Sequence, residues 1–569
     1  MKKLRMLLVL PVVVVLFGCS RSDSQRPASQ KTLEVVPDIQ GRLAKLPETV
    51  IDYDRNLLNA QEQKVASVLI DASRYMDQIF SLQVSRDNPS LRKELSALAE
   101  KSPDHRLGLR YFDLMMGRWD RLLDDEPFIS PFGPGGVKPP GAGFYPTDMT
   151  REEFEKWIAA HPEDQENFQN LYTVIRRKEG KLTAVPYSEE YRAMLESAAG
   201  KLREAADLTT NASLKSFLLK RADAFLSNNY HDSDVAWVEM DSPVEVVIGP
   251  YEVYEDGIFN AKASFEAFIT AVDRPESEKL KVYIRHLPAM EKSLPIPEEH
   301  KNLKRGAGST IKVVQEIFTA GDARRGVQTS AFNLPNDERI RQSKGSKNIL
   351  LKNVMQAKFR QSGEPIARRV LDPSQDALLS FDAYFNHTLF HELSHALGPG
   401  IIKGPDGKMQ ENRLYLKALY STIEECKADV VGIWTLLYAM DQKLITTFDA
   451  PRLFVTDAAL LFRSMRFGIG EAHGGGAALQ WNWYREKLAI VPSADGRFRI
   501  DVPKYREAAR TLAEELLMTE ATGDYDRAER LLKKYSVSTP EIEGVIPKLQ
   551  DIPVDITPVF IAAGERKFQ

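Results

Sequence analysis

The chain has 569 residues, 43% of them hydrophobic and 27% charged, with a formal net charge of −4. That is the composition of a soluble globular protein with material for roughly two to four domain-sized units. Its mild acidity excludes a general nucleic-acid binder.

Residues 1–18 pair a basic start, Lys2, Lys3 and Arg5, with an apolar run from Met6 to Phe17, the pattern of an export signal that lies outside the fold. The ending Leu16-Phe17-Gly18-Cys19 resembles the lipobox of bacterial lipoproteins, which implies lipidation of Cys19 as the first mature residue. An ordinary cleaved signal or a short membrane anchor is the alternative. The lipoprotein reading makes the protein exported and membrane-anchored, facing the periplasm or cell exterior, with residues 19–34 as a polar tether. Loss of the leader takes the formal charge from −4 to −7. No second apolar run is long enough to cross a bilayer. The only other cysteine is Cys426, so if Cys19 carries lipid no intrachain disulfide is available.

Val65, Val68, Leu69, Ala72, Met76 and Ile79 fall at helical spacing and predict the first core helix. Residues 131–146, PFGPGGVKPPGAGFYP, hold too many glycines and prolines for a regular element and predict a long surface loop. Thr150 and Glu153 then match a capping box ahead of Phe154 and Trp157. β-branched and aromatic residues gather at 242–254 and again at Lys281-Val282-Tyr283-Ile284, which predicts strands at both places. From Ser380 onward long helical patterns return, one of them over 414–440, with breaks at Gly398-Pro399-Gly400, at 404–407 and at Gly474-Gly475-Gly476.

Residues 387–398 read HTLFHELSHALG. A helix turns once in about 3.6 residues, so His391 and His395 share a face and can offer two imidazole nitrogens to one ion. Glu392 sits roughly 100° around the helix, placed to reach a metal-bound water without ligating the metal. The bland alternative is a core helix with hydrogen-bonded histidines. His387, one turn earlier, is a third ligand, a partner of a ligand or a surface residue. Three histidines on consecutive turns struggle to surround a tetrahedral ion, so it receives no metal role.

A catalytic zinc needs a third protein ligand. Thirty residues past His395 the chain reads Ile423-Glu424-Glu425-Cys426-Lys427-Ala428-Asp429. Glu425 and Asp429 are one turn apart, which lets the first ligate the ion while the second accepts from a ligating imidazole. Carboxylates inside so apolar a helix are costly unless something positive meets them. A solvated face of Glu424, Glu425 and Lys427 is the alternative. Cys426 fits a small buried thiol.

HELSH followed by EECKAD resembles the dipeptidyl peptidase III family of zinc exopeptidases, whose usual motifs are His-Glu-x-x-Gly-His and Glu-Glu-Cys-Arg-Ala-Glu or Asp. NLPNDERIRQSKGSKNILLKN at 333–353 and IGPYEVYED at 248–256 resemble further segments of that family, in the family's order. The resemblance implies one Zn(2+) per chain on His391, His395 and Glu425, with Glu392 as general base and Glu424 and Asp429 supporting the ligands. It implies that Glu252, Asn333 and Asn336 hold the amino terminus of a peptide substrate, and that Tyr254 and His473 stabilise the tetrahedral intermediate. A carboxylate and two amides suit an ammonium group. Ordinary roles are open for these residues too: strand packing for Tyr254, turn capping for the asparagines, a loop position for His473.

HELSH keeps regular i,i+4 spacing where the family's commoner motif has one more residue, which marks a divergent member. The expected fold is α+β and mostly helical, with a cleft between two lobes. Residues 35–360 form mainly an N-terminal lobe with a smaller β-rich core, 361–540 mainly a helical zinc-binding lobe, and 541–569 a segment of either lobe. The expected function is zinc-dependent hydrolysis of peptides near a free amino terminus, with release of dipeptides. The rivals are a zinc hydrolase or endopeptidase of the same fold and a non-catalytic peptide-binding lipoprotein.

Overall fold

The computed structural model describes residues 33–303 and 310–567. The expected leader, the Cys19 lipidation site and most of the tether lie outside the described residues. Two large hydrophobic cores organise the rest.

In the first lobe, helix α1 (Ala60–Val84) starts at Asn59, whose side chain accepts from the N–H of Gln61 and of Glu62, both at 2.9 Å; Glu62 in return accepts from the Asn59 N–H at 2.8 Å. That satisfies donors a helix start otherwise leaves open. Of the expected stripe, Val65, Leu69, Ala72, Met76 and Ile79 are buried and Val68 is partly buried against the same core. Helix α2 (Arg151–Ala160) starts at Thr150, which accepts from the Glu153 N–H at 3.1 Å. Only this half of the expected capping box forms, and the Glu153 carboxylate meets Arg177 at 2.8 Å instead. The glycine- and proline-rich segment is a surface loop only in its first half. Ala142, Phe144 and Tyr145 are buried, because the Gly143 N–H docks on the Gln83 carbonyl at 2.7 Å, where a side chain would collide with the backbone of α1.

Five strands make the central sheet: β1 (Val244–Glu252), β2 (Ser264–Val272), β3 (Thr310–Gly321), β4 (Ala331–Leu334) and β5 (Lys347–Leu351). Their order is β1-β2-β3-β5-β4, antiparallel except for the β3–β5 pair, which leaves β4 at an edge. Alternate side chains leave opposite faces of a strand. Val314, Ile349 and Leu351 therefore join the first core while Ile311, Val313 and Leu350 join the second. The sheet thus stands between the lobes.

The segment Lys281-Val282-Tyr283-Ile284 is helical, contrary to the strand expected there. It lies inside helix α3 (Arg274–Ser293), capped by Asp273, which accepts from the Glu276 N–H at 3.2 Å. Leu280, Tyr283 and Met290 are buried at helical spacing, and this longer period outweighs the β preference of four residues.

The second lobe is built from α4 (Phe381–Ser394), α5 (Tyr420–Asp441), α6 (Ala450–Met465), α7 (Ala472–Glu486) and α8 (Val502–Thr522). The pattern over 414–440 is interrupted at Lys417, whose φ of 54° ends the short helix Asn412–Leu416, so α5 begins only at Tyr420. The Gly474-Gly475-Gly476 run breaks nothing and lies inside α7. A Cβ on Gly474 would stand 2.0 Å from the Gly468 carbonyl oxygen and one on Gly476 3.3 Å from Cys426 Cβ, so these glycines serve close packing.

Near the C-terminus the chain returns to the first lobe, where Thr557–Phe560 pairs in parallel with Glu48–Ile51. No helix among the described residues is long and apolar enough to cross a membrane. The architecture is the expected one, α+β and mostly helical in two lobes, with the histidine motif in the helical lobe.

Candidate metal centre and catalytic cleft

Helix α4 ends at the motif. The His395 N–H donates to the His391 carbonyl at 3.2 Å, so the regular i,i+4 spacing is kept and both rings leave one face. Helix α5 crosses directly behind them. A Cβ on Gly432 would come within 3.2 Å of the His391 backbone nitrogen, so only glycine allows this approach without displacement. A glycine inside a helix costs roughly 0.8–1.0 kcal/mol relative to alanine, and that cost is the one local sign of Gly432 in the sequence.

Each imidazole is oriented by a carboxylate of α5. His391 Nδ1 donates to Asp429 Oδ1 at 2.7 Å and His395 Nδ1 donates to Glu424 Oε1 at 2.8 Å. Both Nε2 atoms are thereby turned inward, 3.1 Å apart, with Glu425 Oε2 at 3.3 Å from the first and 3.8 Å from the second. The three donor atoms lie within 4.8 Å of one another. Donors roughly 2.1 Å from a tetrahedral zinc stand roughly 3.4 Å apart, so these separations fit one ion. The donor chemistry fits as well: Glu425 Oε2 is buried without a hydrogen-bond partner, a state that a cation relieves.

The electrostatics follow from these contacts. Burial opposes a charge on His391, but Asp429, Glu425 and Glu392 together raise its pKa to about 10. Burial likewise opposes ionisation of Asp429, and His391 overcomes it to hold the carboxyl at about 2. Against the same burial, Lys427 and His395 hold the Glu424 carboxyl well below the ordinary carboxylate range. A cluster so rich in anions is complementary to a divalent cation.

Three supporting residues escaped the sequence reading. Lys427 is buried, not part of a solvated face; its Nζ meets Glu424 at 2.8 Å and the carbonyls of Ser394 and Leu397 at 3.1 and 3.2 Å, tying the end of α4 to α5. Gln480 donates to Asp429 Oδ2 at 2.9 Å, and Tyr420 donates to Glu424 Oε2 at 3.2 Å. Lys427 and Gln480 bridge separate elements, which no local spacing marks, whereas Tyr420 stands one turn before Glu424 within α5, an i,i+4 relation legible in the sequence.

His387 stands apart from the ion site. Its Nε2 contacts the Asp429 carbonyl at 3.0 Å and its Nδ1 faces Asp457 at 3.4 Å, so both ring nitrogens are engaged. His473, exposed at the start of α7, brings Nδ1 to 3.4 Å from Glu425 Oε2 and thus joins the cluster. Glu392 is half-buried and lines, with His391, Asp429 and His473, a cleft of about 510 Å³. Ser330 and Ala331 of the sheet lobe close that cleft from the other side.

The remaining expected residues gather on the sheet. Glu252 ends β1 just past an irregularity in its pairing with β2, a device that re-aims side chains. Burial raises its carboxyl, helped by Asp322, while a hydrogen bond from Asn336 opposes the rise. Asn336 also donates to the Tyr251 carbonyl at 3.2 Å. Asn333 bonds Asn348 through its amide nitrogen, which leaves its Oδ1 buried and unpartnered. Tyr254 is 74% exposed, close enough to Glu252 for that charge to raise its hydroxyl pKa, and has no hydrogen bond among the described residues. The structure therefore forms two groups, one around the histidines and one around Glu252, joined by β4.

A model of peptidase family M49 matches residues 147–413. Nudix hydrolase 3 of Arabidopsis thaliana is 36% identical over 92% of this chain and 74% of that protein. Human dipeptidyl peptidase 3 is 23% identical over 44% of this chain and 37% of its own length. Two solved structures align over nearly their whole length. DPP III of Caldithrix abyssi is 48% identical with a TM-score of 0.87, over 92% of this chain and 98% of that one. Dipeptidyl-peptidase III of Corallococcus sp. strain EGB is 40% identical with a TM-score of 0.74, over 93% and 98%. With a near full-length match at this identity and a His-His-Glu group able to hold a metal on its two motifs, the chain belongs to the dipeptidyl peptidase III family of peptidases, peptidase family M49.

Proposed function

We propose that the protein is a zinc-dependent dipeptidyl peptidase that holds the free amino terminus of a peptide and hydrolyses the second peptide bond. One observation carries the reading. The edge strand β4 has cleft-lining Ala331 at one end and Asn333 two residues further on, on the same face. At about 3.3 Å per residue these positions are roughly 7 Å apart, the length of an extended dipeptide. An edge strand also offers unpaired backbone groups to an added peptide strand. An ammonium group held by Glu252, Asn333 Oδ1 and Asn336 would thus leave the second peptide bond beside Glu392.

A zinc ion on His391, His395 and Glu425 would act as Lewis acid on the scissile carbonyl and acidify a water. Glu392 takes the proton of the attacking water and passes it to the leaving amine. Asp429 and Glu424 keep both imidazoles in the tautomer that ligates through Nε2. His473 and Tyr254, both exposed, would donate to the developing oxyanion. The test compares matched peptides with free and blocked amino termini, using Glu392→Gln as the inactive control. Dipeptides should appear from the free series alone. Equal cleavage of both series would refute amino-terminal recognition, and full activity of Glu392→Gln would refute the mechanism.

We also propose that the enzyme is exported and held at a membrane by lipid on Cys19, its peptide substrates lying in the periplasm or cell exterior. The lipobox-like ending Leu16-Phe17-Gly18-Cys19 supports this. Retention of Cys19→Ala in the membrane fraction would count against it.

A further inference from the structure

The cleft contains a cation that the hydrolytic groups do not use. Arg463 stands in the last turn of α6, is half-buried, and lines the same cavity as His391 and Glu392. Among the described residues it makes no ion pair and no hydrogen bond. The charged groups near it are cations already spoken for: Lys358 is paired with Asp555 at 2.9 Å, and Arg466 donates to the carbonyls of Ile552 and Pro553 at 2.7 and 3.2 Å.

The cavity's carboxylates do not serve Arg463 either. Asp429 is held by His391 and Gln480, and Asp457 accepts from Tyr505 at 2.5 Å and faces His387. Glu392 belongs to the reaction, and Glu471 is exposed at the start of α7. A guanidinium partly removed from water and left without an anion is unfavourable, and its planar fork matches a carboxylate in two parallel hydrogen bonds.

Position decides which carboxylate. Glu252, Asn333 and Asn336 are not among the residues that line this cavity, whereas Glu392 and Ala331 are. A peptide with its amine at Glu252 and its reacting bond at Glu392 therefore leaves the cavity to the residues beyond that bond. We propose that Arg463 receives a substrate carboxylate on the leaving-group side, which makes short peptides with a free carboxyl terminus, or with an acidic residue just after the cleaved bond, the favoured substrates. This rests on the peptidase reading above.

Calorimetry on the zinc-loaded Glu392→Gln protein reads binding without turnover. Short peptides are compared as free acid and amide over a series of lengths, and amidated peptides with Glu or Gln after the scissile position separate the two sources of carboxylate. One carboxylate should improve binding on the order of ten- to a hundredfold over its neutral counterpart. Arg463→Met in the same background should bring acid and amide to parity, while Arg463→Lys keeps part of the preference as a point charge. Thermal melting matched to the parent shows that Arg463→Met is folded. Discrimination that persists in Arg463→Met, or none in the parent, overturns the proposal. Wild-type turnover separates the two readings: equal cleavage of acid and amide sinks the role of Arg463 and leaves the peptidase standing, and no cleavage of either sinks the peptidase.

Discussion

Replacing Asp429 by asparagine tests the logic of the metal centre without touching a ligand. Asp429 Oδ1 accepts from His391 Nδ1 at 2.7 Å and Oδ2 accepts from Gln480 at 2.9 Å. Asparagine preserves the size but offers one acceptor and one donor group to two donors, so one contact must fail. A hydrogen bond to an ionised partner is worth about 1.5–3 kcal/mol, which corresponds to roughly a ten- to 150-fold change in an equilibrium constant. Loss of an outer partner of a metal-bound histidine typically costs roughly 10–100-fold in metal affinity, and the two ranges overlap. Competition with a zinc-chelating dye should therefore show the zinc dissociation constant of Asp429→Asn raised by roughly 10–100-fold. The melting temperature of the metal-free variant reports whether the fold is intact. A folded variant that binds zinc as tightly as the parent would refute the claim that Asp429 orients His391.

Two further predictions concern the scaffold. Burial pushes the Glu316 carboxyl from an ordinary 4.5 up to about 8, against the pull of Lys358 and Arg324. The folded chain then binds one more proton than the unfolded chain between these values, so this contribution to stability is fully present below the lower one and is lost as pH rises through the upper one. Glu316→Gln should melt like the parent at about pH 5 and above it past about pH 8; parallel melting curves across that window would exclude Glu316 as the group responsible. Gly474→Ala places a Cβ 2.0 Å from the Gly468 carbonyl oxygen and must displace the first turn of α7 with His473. Overpacking of this kind costs about 1–3 kcal/mol, so chemical denaturation should register the loss, and unchanged stability would mean the turn relaxes freely.

Motif spacing determined much of the site before any tertiary contact was known. His391 and His395 share a face because a helix repeats nearly every four residues, and Glu425 and Asp429 do so for the same reason. The apolar stripe of α1 and the strand at 244–252 were equally legible, since each is a local period. The short period at 281–284 misled because four β-prone residues sat inside a longer helical repeat. Tertiary structure alone decided which carboxylate meets which imidazole, Asp429 with His391 and Glu424 with His395, because that register belongs to the crossing of α4 and α5 at Gly432. It also decided that Lys427 is buried, that the glycine run of α7 packs rather than breaks, and that Arg463 faces the cleft. Spacing along one helix is set by the backbone, whereas contacts between elements far apart in the chain are set by how their side chains pack, and no single segment carries that information.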